Sequence, residues 1–357
     1  MPWRARVAPV ALVSLATAVP PHAVDQDYVA RRAREIYAPT LARHPGLIDV
    51  FAHTGIKRRF AACPLDWYER EHGWPERNAA YLAAAGALYR EVTGAALRQA
   101  GLSARDIDTV VTVSSTGIAT PSLEARLSKD IGFRADIGRV PVFGLGCAGG
   151  VTGLSLAAKL ARTQPRSNVL FVALELCTLA FRRDRIDKAG LVATALFGDG
   201  AAAAVLRAGD APGSLARIGP GYEHQWPDTL DIMGWSIDPF GFGVILSADL
   251  PRFVEQQLAA PAASFLAAAG LAAGATRFVC HPGGTKIVAA LERALGFPPG
   301  TLEEERAVLR DCGNMSAPTV LFVLERTLRR RIEGPVALAA LGPGFTASFL
   351  ALEARGK

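Results

Sequence analysis

The sequence is short of several things, and each shortage bears on what the protein can be. It has five cysteines, Cys63, Cys147, Cys177, Cys280 and Cys312, an odd number with no CxxC pair. That argues against a disulfide framework or a zinc cluster, so no metal is expected, and it fits a reducing, cytoplasmic setting. Aromatic residues make up 8% and no long basic tract is present, so the net charge of +6 is too diffuse to point to nucleic acid. Attraction to small phosphate-bearing anions is the better fit. No stretch reaches the roughly 20 clean apolar residues of a membrane-spanning helix.

What is present is enzyme-sized: 357 residues, half of them hydrophobic, enough for two domains or one duplicated one. Arg4 and Arg6 precede the apolar run "VAPVALVSLATAV", which resembles a secretion signal on the surface. Pro9 breaks that run, Pro20 and Pro21 turn the chain and Asp25 opens a charged helix, so a first strand, loop and helix is the expectation. Helices are expected over 28–37, 64–72, 78–100 and 122–131, and strands over 107–113 and in "SNVLFVALEL". A seam at "RAGDAPGSLA" follows Leu206, after which a loop-like region with Trp226, Trp235, Pro239 and Gly241 leads to a helix over 251–269. Strand and helix then alternate again. Alternation of this kind points to an α/β layered fold, duplicated, with halves 1–209 and 210–357.

The chemistry centres on "VFGLGCAGGVTGLSL", where Cys147 lies between Gly144, Gly146, Gly149 and Gly150 and just ahead of a small-residue helix. Glycines permit a sharp turn and close approach of a ligand, and a helix N-terminus favours thiolate. Taken alone, the stretch fits a nucleophile or a buried structural cysteine equally well. His281 ends the apolar strand "FVCHPGG", and Asn314 precedes the helix of "GNMSAPTVLFVL". Individually these read as a strand-end histidine and a helix N-cap; together with Cys147 they form a Cys/His/Asn constellation that only folding could assemble.

Five motifs in order, "GLGCAGG", "ALFGDGAAA" from Ala195, "HPGG" from His281, "GNMSAPTVLFVL" from Gly313 and "GPG" from Gly342, resemble the chalcone synthase superfamily of type III polyketide synthases over nearly the whole chain. The resemblance implies a thiolase-like αβαβα fold and catalytic Cys147, His281 and Asn314, with Phe197 as the active-site phenylalanine. It implies coenzyme A thioesters as substrates, no further cofactor, acyl-CoA and malonyl-CoA as ligands, and a homodimer with the position of Thr120 near the subunit interface. Cavity positions fall on Thr116, Thr120, Cys177, Ala180 and Ser316, all small, and "DPFGFGVILSADLP" does not preserve a second gatekeeper phenylalanine. Small residues there imply a tunnel for a medium or long fatty acyl starter, closed after extension to an alkylpyrone or alkylresorcinol. The family's basic residues for coenzyme A are out of register, with Gly46, Asp49 and His53 nearby, which leaves Lys57, Arg58 and Arg59 of "TGIKRRF" as stand-ins. Two alternatives stay open: a single-round condensing enzyme of the ketoacyl-ACP synthase III kind, and a non-catalytic thiolase-fold binding protein.

Overall fold

The computed structural model describes residues 8–356. Among them the strands are β1 (Val10–Ala18), β2 (His22–Asp25), β3 (Arg58–Ala61), β4 (Thr109–Val113), β5 (Gly138–Val142), β6 (Asn168–Leu176), β7 (Asp199–Ala208), β8 (Ala216–Gln225), β9 (Met233–Asp238), β10 (Gly241–Leu246), β11 (Arg277–Cys280), β12 (Glu333–Gly342) and β13 (Thr346–Arg355). The helices are α1 (Gln26–Ile36), α2 (Ala38–Arg43), α3 (Val50–His53), α4 (Trp74–Ala100), α5 (Leu123–Ile131), α6 (Gly149–Ala161), α7 (Lys188–Leu196), α8 (Leu250–Gln257), α9 (Ala259–Ala269), α10 (Thr285–Ala294), α11 (Glu303–Cys312) and α12 (Thr319–Arg329).

Nine strands join in one sheet in the order β11-β12-β13-β8-β1-β7-β6-β4-β5. The apolar run after Arg4 and Arg6, which themselves lie outside the described residues, is the interior strand β1, paired antiparallel with both β7 and β8. Outward from that seam the same pattern occurs twice. The pairs β1–β7 and β7–β6 are antiparallel and β6–β4 is parallel; likewise β8–β13 and β13–β12 are antiparallel and β12–β11 is parallel.

Alternation along the strands then builds the layers, because neighbouring side chains point to opposite faces. Val111, Phe171, Ala204, Leu338 and Leu352 share one core with α6 and α12, both almost wholly buried between the two halves of the sheet. On the opposite faces, Leu170, Val172, Leu174 and Ala203 pack with α4 and α5, while Phe278, Ala337 and Phe349 pack with α8, α9 and α10. The result is the expected five-layered, thiolase-like αβαβα arrangement.

Three local expectations differ. The helix expected over 64–72 is a single tight turn, Leu65–Glu69, closed where the Trp67 ring stacks on His72 at 3.9 Å. The helix expected over 251–269 is broken into α8 and α9, because Pro261 has no N–H to continue the ladder across the junction. The region read as a loop around Trp235 is a hairpin, β9–β10, in which Pro239 and Phe240 form the turn and Gly241 opens the second strand opposite Asp238. Arg182 holds the tip of this hairpin through both oxygens of Asp238, at 2.6 and 2.7 Å.

Candidate active site

Cys147 sits in a tight turn, Gly146–Ala148, that runs straight into α6. Two glycines let this turn reach the second half of the chain. Gly146 has φ +47° and lies against Pro343, and a Cβ on Gly150 would come within 2.2 Å of the Ala317 carbonyl oxygen. That close approach brings Cys147 into hydrogen bonding with Ser316 and Asn314. Ser316 itself holds φ +56°, an uncommon conformation for a residue with a side chain.

His281 follows the last residue of β11. Its N–H donates to Ala339 O at 2.8 Å, and neither buried ring nitrogen has a hydrogen-bond partner among the described residues. Asn314 is fixed four ways. Its N–H donates to Leu196 O and its carbonyl accepts from Gly198, both at 2.9 Å. Its Nδ2 donates to Gly283 O at 3.1 Å and its Oδ1 accepts the Ser316 N–H at 2.9 Å. The amide has two hydrogens, and the one not given to Gly283 is the donor directed at Cys147. Asn314 is therefore not the expected N-cap: α12 begins at Thr319 after Pro318, with no side-chain cap.

Cys147, His281, Asn314, Phe197, Thr116, Cys177 and Ser316 all line one cavity of about 600 Å³. The hairpin forms much of its wall through Trp235, Val244, Ile245 and Leu246, and no phenylalanine of that hairpin lines it. Trp235 is anchored by donating from Nε1 to Ser115 O at 2.9 Å, and its ring meets Phe197 edge-on.

Burial governs the charges here. It pushes the Cys147 thiol up to about 11, against the hydrogen bonds from Ser316 and Asn314, and pushes His281 down to about 4. Desolvation therefore works against the expected thiolate at the helix tip, while the hydrogen bonds from Ser316 and Asn314 work toward it. Sequence reasoning gives no role to Glu175, yet it lines the cavity and accepts from Ser115 N–H at 2.9 Å and Thr116 Oγ1 at 2.8 Å. Burial raises its carboxyl to about 8. A carboxylate closing the apolar run "SNVLFVALEL" is the signal that could have found it.

Other expected site residues lie elsewhere. Thr120 is exposed and off the cavity, because the segment before α5 turns outward. Ala180 borders a neighbouring void of about 30 Å³ instead. Lys57 and Arg58 are exposed but do not line the cavity. Arg59 is buried, donating to Thr194 O, Phe197 O and Gln26 Oε1 at 2.5, 2.8 and 2.8 Å, so it is a structural anchor and not a coenzyme A contact. Gly46, Asp49, His53 and exposed Lys286, in the first turn of α10, also line the cavity, and the Thr285 hydroxyl donates to Thr54 O between the two segments.

Family models for the N-terminal and C-terminal domains of chalcone and stilbene synthases match residues 68–210 and 222–353. The chain is 40% identical over 347 residues to 1,3,6,8-tetrahydroxynaphthalene synthase of Streptomyces peucetius subsp. caesius, covering 94% of this chain and 91% of that protein. It is 28% identical to phloroglucinol synthase of Pseudomonas fluorescens, over 92% of this chain and 94% of the other. The crystal structure of 1,3,6,8-tetrahydroxynaphthalene synthase from Streptomyces coelicolor A3(2), a bacterial type III polyketide synthase, matches with a TM-score of 0.91 at 29% identity, over 97% of this chain and 99% of that one. With its cavity built from both halves of a thiolase-like fold, the chain belongs to the chalcone and stilbene synthase family, the type III polyketide synthases.

Proposed function

We propose that this synthase extends a medium or long fatty acyl starter with malonyl-CoA and closes the product to an alkylpyrone or alkylresorcinol. Cys147, His281 and Asn314 are its catalytic residues, the first from half 1–209 and the others from half 210–357. His281 takes the Cys147 proton as sulfur attacks the acyl-CoA carbonyl, and coenzyme A leaves as the thiol with that proton. Malonyl-CoA then lies with its thioester oxygen between His281 and Asn314. Loss of carbon dioxide puts charge on that oxygen, where two aimed donors stabilise the enolate; one such donor is worth about 3 kcal/mol. The enolate carbon attacks the acyl carbonyl and expels Cys147, lengthening the chain by two carbons. Phe197 and Trp235 keep the site apolar, which favours neutral carbon dioxide over carboxylate.

The observation that carries this reading is the meeting of Cys147, Asn314 and an unpartnered His281 on one cavity. The acyl assignment rests on the voids behind it. Cys177, Phe197 and Val244 border both the main cavity and the void beside Ala180, and that void shares Tyr37, Phe181, Thr194 and Phe197 with a third of about 110 Å³. An aliphatic chain suits this apolar series. Lys286 replaces Lys57, Arg58 and Arg59 as the cation we assign to coenzyme A phosphate. A homodimer, with Thr120 on its interface side, and a cytoplasmic setting complete the reading.

The 40% identity to a tetrahydroxynaphthalene synthase favours a second reading, an aromatic product built without a fatty starter. Mass spectrometry of products from malonyl-CoA alone and with acyl-CoA of increasing length separates the two. Alkylated pyrones or resorcinols with more than one malonyl unit per starter are expected. A hydroxynaphthalene from malonyl-CoA alone, with acyl-CoA left unused, refutes the fatty-starter reading.

A further inference from the structure

We propose that Glu305 is a positioning residue for His281. The proposal rests on the reading that His281 polarises the malonyl thioester. β11 is a four-residue strand at the end of the sheet, hydrogen-bonded to β12 alone. On its inner side the His281 N–H reaches Ala339 O. On its outer side, where no strand lies, the Cys280 N–H donates to Glu305 Oε1 at 2.8 Å.

Glu305 is only 3% exposed, and among the described residues it makes no ion pair. Its neighbour Arg306 is engaged with Glu292 at 2.7 and 2.8 Å, and Arg330 is engaged with Glu303 and Glu304. Burying a carboxyl without a cation is costly, and what this one does is clamp the residue before His281. That matters because the His281 ring has no hydrogen bond of its own to fix it, so its position depends on the backbone on either side. Glu305 also belongs to α11, which runs into Asn314. One tie, Glu305 to Cys280, and another, Asn314 Nδ2 to Gly283 O, therefore join the segments bearing the two thioester donors. A small error in that spacing is expensive, since misplacement by about 1 Å can cost on the order of a hundredfold in rate.

The test measures kcat and KM for malonyl-CoA decarboxylation in Glu305→Gln, Glu305→Met, Glu305→Asp and His281→Gln, with thermal melts to establish folding. Glu305→Gln keeps an acceptor and is expected to retain activity. Glu305→Met removes the acceptor and Glu305→Asp draws it back by one carbon; each is expected to lose about tenfold in kcat with KM within about twofold. If the methionine variant does not fold, the aspartate variant decides. Wild-type kcat in the folded methionine or aspartate variant, equal losses in the glutamine and methionine variants, or a KM that rises as far as kcat falls would overturn the proposal. If His281→Gln is slow while Glu305→Met is not, only the positioning role fails. If His281→Gln itself decarboxylates at the wild-type rate, the underlying reading fails and the proposal with it.

Discussion

Ala180→Leu tests whether the voids beyond the main cavity hold the starter. Ala180 borders the void of about 30 Å³ that shares lining residues with both the catalytic cavity and the third void of about 110 Å³. A leucine there fills the smaller void and so closes any route through it. At the packing density of a protein interior, the space lost behind it holds on the order of four methylene groups. At about 0.8 kcal/mol for each buried methylene, a chain that can no longer reach it forfeits about 3 kcal/mol, or about two orders of magnitude in kcat/KM. The assay is kcat/KM for hexanoyl-CoA through palmitoyl-CoA with malonyl-CoA in excess. Hexanoyl-CoA is expected to change by less than about twofold, and palmitoyl-CoA to fall by the full amount. A loss equal at every chain length would mean general overpacking, and no loss at any length would mean that the chain does not pass Ala180; either result refutes the argument.

Three further outcomes follow from the site. Burial lowers His281 to about 4 and raises Cys147 to about 11. Alkylation of Cys147 by iodoacetamide should therefore persist through neutral pH and fall as pH drops through about 4, where the imidazole takes a proton from solvent. In His281→Gln the rate should instead climb about tenfold per pH unit toward about 11, since only free thiolate reacts; identical profiles would remove His281 as the base. Lys286→Ala should raise the acyl-CoA KM about fivefold at low salt with kcat retained, as fits one exposed cation beside a phosphate. Arg59→Ala should lower thermal stability instead, because it leaves one buried and two partly buried acceptors without their donor. A KM effect from Arg59 without a stability effect would reverse that assignment.

Much of the site is legible in the sequence because its parts are local. Cys147 stands out through its glycines and the helix after it, and His281 through an apolar strand ending in "HPGG". Arg59 misleads because three consecutive cations look like a solvated patch, whereas alternation along β3 leaves Arg58 outside and turns the last of the three inward. The hairpin escapes a reading by residue type because Pro239 and Gly241 signal a break without saying that the flanking residues pair across it.

The sequence by itself determined the alternation of strand and helix, the nucleophile's turn and the family to which its motifs point, since each depends on neighbours a few residues apart. Only the tertiary structure decided that Cys147 meets Asn314 and Ser316, that the Trp235 hairpin walls the cavity and that Glu305 backs His281. Those contacts join residues far apart in the chain, and the charge states within them follow from how deeply the fold buries each group, which no spacing of residues encodes.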